Sequence, residues 1–340
     1  MAALMMKRAA VALVLALALA GCGDSGLTEG GEGGDVTVSN HPALLFSPPW
    51  IAAVDQGLFD KHGVRVKQIV GSEGGGTTVR NVVSGGLPIG EVATTAAITA
   101  FQAGADIRIV GGGVASSKDV FWVTRPDSKL KTIEDLEGKE VGYTSPGSVT
   151  QGLLALSLER SGVGVDNVKT RSMGGLTEGL TALKTGDIDA AAILEPVFSE
   201  QLKEEGWKPI FRASDYVPEF LSTVIITGPG VLDKDRGLVE KTIAARAEGI
   251  EYLKANPEKV AKVWASEAEI KPASALKALH TVDPDKHWVV GLASPKALET
   301  VAEEMRLIDL LPGGQEIEWD KLVNQDFIPA EQRISLPGED

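Results

Sequence analysis

The chain has 340 residues, 43% hydrophobic and 24% charged, with 33 Lys and Arg against 47 Asp and Glu, a formal net charge of −14 at pH 7. That is the composition of a globular protein with room for more than one domain and a sizeable core. An acidic surplus with no concentrated basic stretch excludes nucleic acid as a partner, because gripping phosphate needs Lys and Arg gathered on one face.

Read from the first residue, Lys7-Arg8 precedes an apolar run from Ala9 to Leu19 that is short for a bilayer span, and "LAGC" (Leu19 to Cys22) closes it. The segment resembles a bacterial lipobox. That resemblance implies a lipoprotein signal peptide over residues 1–21 and Cys22 as the lipidated mature N-terminus. It places the protein on the extracytoplasmic face of the cell membrane, anchored through lipid. Cys22 is the only cysteine, so the folded body has no disulfide, thiolate cluster or thiol nucleophile. "GDSGLTEGGEGGD" (Gly23 to Asp35) is Gly-rich and polar, so residues 22–35 read as the lipidated Cys plus a flexible tether with a reach of roughly 20 Å.

From Val36 onward short β-like runs alternate with helical ones. The strand expectations are Val36 to Ser39, Val64 to Val70, Ile107 to Val110, Val120 to Val123, Glu140 to Tyr143, Val168 to Arg171, Ile188 to Ile193 and Thr223 to Ile226. Helices are expected over Trp50 to Gln56, Thr77 to Ser84, Ala96 to Ala103, Val149 to Ser161, Leu176 to Lys184 and Pro196 to Glu204, with mainly helix after Lys234. Such alternation predicts an α/β fold with largely parallel sheets. "VFWVTRP" and "STVIITGPG" bracket a middle block, as in a chain that leaves one lobe, builds a second and returns. Ligand clefts favour such junctions.

The strand-to-helix turns are polar, Gly-rich and mostly uncharged: "LLFSPPW", "GSEGGGTT", "EVATTAA", "YTSPGSVT", "SMGGLT" and "ILEPVF". They offer hydroxyls and backbone N–H groups at helix starts, where negative charge is welcome. Ser148-Val-Thr-Gln151 also fits a capping box, and Ser145-Pro146 offers a rival helix start. Gly74-Gly75-Gly76 lacks the Lys-Ser/Thr of a phosphate loop, and Val79 stands where a dinucleotide fingerprint needs its third glycine. No cofactor is implied. Trp50 can wall a pocket or pack the core; Glu195 can accept from a ligand amine, cap a helix or anchor a hinge. His41, His62, His280 and His287 are scattered without metal-ligand spacing, and no G-x-S-x-G occurs, so the sequence points to binding without catalysis.

"FSPPWIAAVDQGLFDKHGVRV" (Phe46 to Val66) resembles the opening of nitrate/sulfonate/taurine-type solute-binding proteins of ABC importers, which extend to carriers of thiamine-precursor pyrimidines. "IEDLEGKEVGYTSPGS", "ALKTGDIDAAAILEP" and "GIEYLKANPEKVAKVWA" match later blocks in order. The resemblance implies a type II periplasmic-binding-protein fold, two α/β lobes joined by two crossover strands with a ligand cleft between them. Residues 36–122 plus 226–340 would form one lobe and 123–225 the other. It implies a monomer that captures a small molecule and hands it to a membrane permease. By matching positions the ligand-facing residues are Ser47, Pro48, Trp50, Gly74, Gly75, Gly76, Thr77, Thr94, Thr95, Ser145, Gly147, Ser148, Val149, Thr150 and Glu195. Neutral donors favour an oxyanion, an organic sulfonate before nitrate or carboxylate; Trp50 with Glu195 would also suit an aminopyrimidine. Arg80 could pair with an anion. One departure from the family pattern is Gly90, where an Asp is common. A pyrimidine-synthase-like enzyme and a ligand sensor are the competing classes.

Overall fold

The computed structural model describes residues 33–339. The signal segment, Cys22 and most of the tether lie outside the described residues. Two five-stranded sheets organise the fold. The first contains β1 (Val36–Ser39), β2 (Ile69–Ser72), β3 (Ile89–Ala93), β4 (Arg108–Gly112) and β10 (Thr223–Thr227), in the order β2-β1-β3-β10-β4. The second contains β5 (Val120–Thr124), β6 (Glu140–Tyr143), β7 (Lys169–Ser172), β8 (Ala190–Leu194) and β9 (Lys208–Arg212), in the order β7-β6-β8-β5-β9.

Around them run α1 (Pro48–Asp55), α2 (Leu58–Lys61), α3 (Gly74–Val83), α4 (Thr94–Gln102), α5 (Val149–Arg160), α6 (Leu176–Thr185) and α7 (Val197–Glu204). The C-terminal third adds α8 (Pro229–Lys234), α9 (Arg236–Ala255), α10 (Pro257–Glu267), α11 (Pro272–Leu279), α12 (Pro284–His287), α13 (Pro295–Leu307) and α14 (Trp319–Leu322). Among the described residues no helix is long and apolar enough to cross a membrane.

The strands follow from composition. The runs "VFWVT", "AAAIL" and "TVIIT" of β5, β8 and β10 are buried throughout, as expected where helices cover both faces of a sheet. β7, "KTRS", is exposed at every residue and forms an edge, where charge discourages pairing with other chains. Trp122 of β5 lies opposite Phe211 of β9 and stacks on it at 4.9 Å between ring centres.

The sheets are mixed rather than largely parallel. β1 runs parallel to β2 and β3, and β6 to β7 and β8, but β10 runs antiparallel to β3 and β4, and β5 to β8 and β9. The reason is topological: β5 enters the second sheet and β10 re-enters the first from the opposite end, and hydropathy carries no strand direction. The strand expected over Val64 to Val70 starts later, at Ile69, because the Lys67 and Gln68 amides bond the Asp35 carboxylate at 3.0 and 3.2 Å instead of a ladder. Two strands were not foreseen: β3, whose apolar pattern is broken by Gly90 and Glu91, and β9, which carries Pro209.

Candidate functional site

Two segments carry the chain between the sheets, 113–119 outward and 213–222 back, and they lie side by side. Ser117 Oγ donates to Val217 O at 2.8 Å, Ser222 N to Val114 O at 2.7 Å, and Gly113 N to Thr223 O at 2.9 Å. The β3–α4 turn is tied to the returning segment: Thr94 N donates to Ser222 O at 3.0 Å and Thr94 Oγ1 to Leu221 O at 2.6 Å. Its neighbour Thr95 reaches further. Thr95 Oγ1 donates to Gly147 O at 3.2 Å, joining a helix start on the first sheet to the β6–α5 turn on the second.

The β6–α5 turn is largely self-satisfied. Ser148 is the N-cap of α5 and accepts from Gln151 N at 3.3 Å, while Gln151 Oε1 reaches back to Gly147 N at 2.7 Å. The capping box thus forms with its return bond one residue earlier than the motif predicts. Thr150 Oγ1 accepts from Thr144 N at 2.9 Å and contacts the hydroxyls of Thr144 at 2.7 Å and Ser148 at 3.0 Å. Ser145 O accepts from Ser148 N at 3.1 Å, and Gly147 takes φ 72°, a conformation that favours glycine. Val149 opens the helix. Ser148→Ala is expected to cost about 1 kcal/mol of stability by loss of the cap, measured by urea unfolding; an unchanged midpoint would show that the cap contributes nothing.

Ser47 and Pro48 stand at the start of α1. The Ser47 hydroxyl is buried and lacks a protein partner; Pro48 and Pro49 have no N–H to give it, and it makes no cap bond to the N–H of Trp50. The β1–α1 turn is pinned from behind: Trp264 Nε1 donates to Pro42 O and Trp288 Nε1 to Leu45 O, each at 2.7 Å. Trp50 is 0% exposed, stacked with Phe59 at 6.4 Å, and its indole N–H is committed to Glu91 Oε2 at 2.6 Å. Of the two roles open to it in the sequence, packing takes the ring.

In the glycine run, Gly75 is required by packing, since a methyl group there would come within 2.4 Å of Ala96 Cβ on α4. Gly74 and Gly76 flank it at the start of α3. Thr77 accepts from Arg80 Nη2 at 2.8 Å, and Arg80 is exposed. Gly90 lies in β3 against α3, where a side chain would press on Val82, Thr37 and Thr78. Glu195 is buried and acts as a cap: its carboxylate accepts from Ser199 N at 3.0 Å, Ser199 Oγ at 2.9 Å and Thr281 Oγ1 at 2.9 Å.

Sequence reasoning missed several buried polar groups. Glu91, inside β3, accepts from Trp50 and from Thr223 Oγ1 at 2.7 Å and pairs with Arg246 Nε at 3.3 Å. Arg246 also donates to Val289 O at 2.8 Å and Gly113 O at 3.0 Å, so the cluster locks α1, α9, β3 and β10 onto the outgoing segment. Asp119 ends that segment. Burial pushes its carboxyl up to about 7, helped by Glu195 and opposed by its own amide and Arg212. Burial likewise pulls His287 down to about 3, with Lys118, Arg212 and Arg246 acting in the same sense. An acid inside "IGEVA" was the available signal for Glu91. Among the described residues no group of His, Cys, Asp or Glu could hold a metal ion.

Comparison with known proteins gives the family and the fold. Residues 47–260 match the family model described as NMT1/THI5 like. An Escherichia coli (strain K12) protein named as an aliphatic sulfonates-binding protein is 27% identical over 131 residues, 38% of this chain and 40% of that relative's length. The crystal structure of the periplasmic aliphatic sulphonate binding protein SsuA from Escherichia coli superposes with a TM-score of 0.72 at 18% identity, covering 87% of this chain and 93% of that one. The desulfurization enzyme DSZB superposes at 0.61 and 16% identity, covering 86% and 97%. At these identities the superpositions establish the periplasmic-binding-protein fold. With its family model spanning more than half the sequence, the chain belongs to the NMT1/THI5-like family.

Proposed function

We propose that this chain is the solute-binding protein of an ABC importer, held on the extracytoplasmic face by lipid on Cys22, and that it captures an organic sulfonate by closing two lobes around it. The carrying observation is the Thr95–Gly147 bond, which brings the starts of α4 and α5, one from each sheet, to a common seam. The positive ends of two helices and nearby neutral hydroxyls suit an oxyanion better than a cation. The sulfonate preference comes from the named relatives. In this reading residues 36–122 plus 226–340 form one lobe and 123–225 the other, and the crossing segments 113–119 and 213–222, which lie a few residues before each boundary, would serve as the hinge. A solute touching both lobes binds the closed form better and shifts the population toward it.

Within this reading Ser47, Thr95, the Gly74 to Thr77 turn and the backbone of Ser145 to Thr150 contact the ligand, while Trp50 and Glu195 hold the frame. DSZB shows that the fold can also carry an enzyme; the relatives named as sulfonate-binding proteins favour binding here. A thermal-shift series with ethanesulfonate, taurine, nitrate and an aminopyrimidine tests the assignment. Saturation to ~100 times Kd adds about 2.7 kcal/mol of apparent stability, so a sulfonate should raise Tm by several degrees. A shift with the aminopyrimidine alone would overturn the sulfonate reading in favour of a thiamine-precursor carrier.

A further inference from the structure

α13 touches both halves of the seam. It packs on α5, which belongs with the second sheet, and on α4, which covers the first. On its α5 face sits Glu304, 0% exposed, with no hydrogen-bond partner for either carboxylate oxygen. Its seat is made by Gly152 of α5: a methyl group there would lie 1.5 Å from Glu304 Oε1, so the carboxyl occupies the space a side chain would take. Opening the α13–α5 contact is the movement that would let water reach it.

The charges around this contact are otherwise engaged or exposed. Arg160 of α5 pairs with Glu303 at 2.6 Å and donates to Tyr216 O at 3.3 Å; Glu159 is exposed. On α13, Lys296 pairs with Glu299 at 3.3 Å and Arg306 lies in the last turn. α4 carries no charged residue. Burial alone holds the Glu304 carboxyl well above the usual carboxylate range. A carboxylate without a partner in such a place is far less favourable than the neutral acid.

We propose that Glu304 makes the α13–α5 seam a proton-linked latch: the closed seam holds it as a neutral acid, and opening hydrates it and releases its proton to solvent. The inference rests on the closure of two lobes proposed above. Its sign follows from linkage. The closed form binds one proton more than the open form, so acid favours closure and rising pH favours opening. A ligand selective for the closed form then takes up a proton on binding and binds more weakly as pH rises.

The test uses the full-length protein, with small-angle scattering for compactness and calorimetry with ethanesulfonate, from about pH 5 to about pH 8.5. Wild type is expected to expand with pH, and its Kd to rise toward a limit of about tenfold per pH unit. Glu304→Gln and Glu304→Met, which cannot ionise, should stay compact with a flat Kd. Asp119→Asn should keep the wild-type response, separating Glu304 on α13 from the buried acid of the crossing segments. If ethanesulfonate compacts wild type but both Glu304 variants follow the same pH course as wild type, the latch is overturned and the receptor reading stands. If pH expands wild type and neither Glu304 variant, while ethanesulfonate has no effect, the latch stands and the sulfonate assignment fails.

Discussion

Replacing Glu91 with alanine is expected to destabilise the protein by about 3–5 kcal/mol, seen as a lower urea midpoint at unchanged slope. The size comes from what remains. Arg246 would keep a fully buried guanidinium whose remaining partners are the carbonyls of Val289 and Gly113, and the Trp50 indole N–H and Thr223 hydroxyl would lose their acceptor. An uncompensated buried charge is far more damaging than the net worth of the pair it came from. Glu91→Gln keeps the shape and loses the charge, so it should fall between alanine and wild type. A loss below ~1 kcal/mol for Glu91→Ala would mean that Arg246 finds water or another acid, and that the cluster does not hold the outgoing segment as described.

Trp50 supplies the second large effect, and it separates frame from ligand contact. Trp50→Ala should cost about 3–5 kcal/mol, because it empties a fully buried site against Phe59 beneath the Arg246 guanidinium, which lies 5.3 Å from the ring centre. Trp50→Phe keeps most of the packing and loses the bond to Glu91, at roughly 1–3 kcal/mol. For that milder variant, calorimetry with ethanesulfonate should return a Kd within about threefold of wild type, a change under ~1 kcal/mol. A tenfold or greater loss of affinity at nearly unchanged stability would restore Trp50 to the ligand wall.

The contrast between Trp50 and Ser148 shows how far the site could be read in advance. Ser148-Val-Thr-Gln151 predicts a cap from spacing within one helical turn, and the structure builds it there with one bond displaced. "PPW" predicts an aromatic beside a helix start, but whether its face meets a ligand or a neighbouring ring depends on Phe59, Glu91 and Arg246, which lie elsewhere in the chain. Glu195 is similar: its cap on Ser199 is local, whereas its bond to Thr281 is not. Strands β1, β5 and β10 were legible because their β-branched and aromatic runs are intrinsic to buried sheet; β3 was not, because Gly90 and Glu91 hide the pattern.

By itself the sequence determined the alternating α/β elements, the helix starts and the polar character of the turns between them. Those properties depend on side chains within about four residues of one another, where periodicity and capping operate. Only the tertiary structure decided the direction of β5 and β10, the burial of Glu91 with Arg246, the meeting of Thr95 with Gly147 and the seat of Glu304 against Gly152. Each of these pairs residues far apart in the chain, and the energy of a buried contact depends on which surfaces exclude water together.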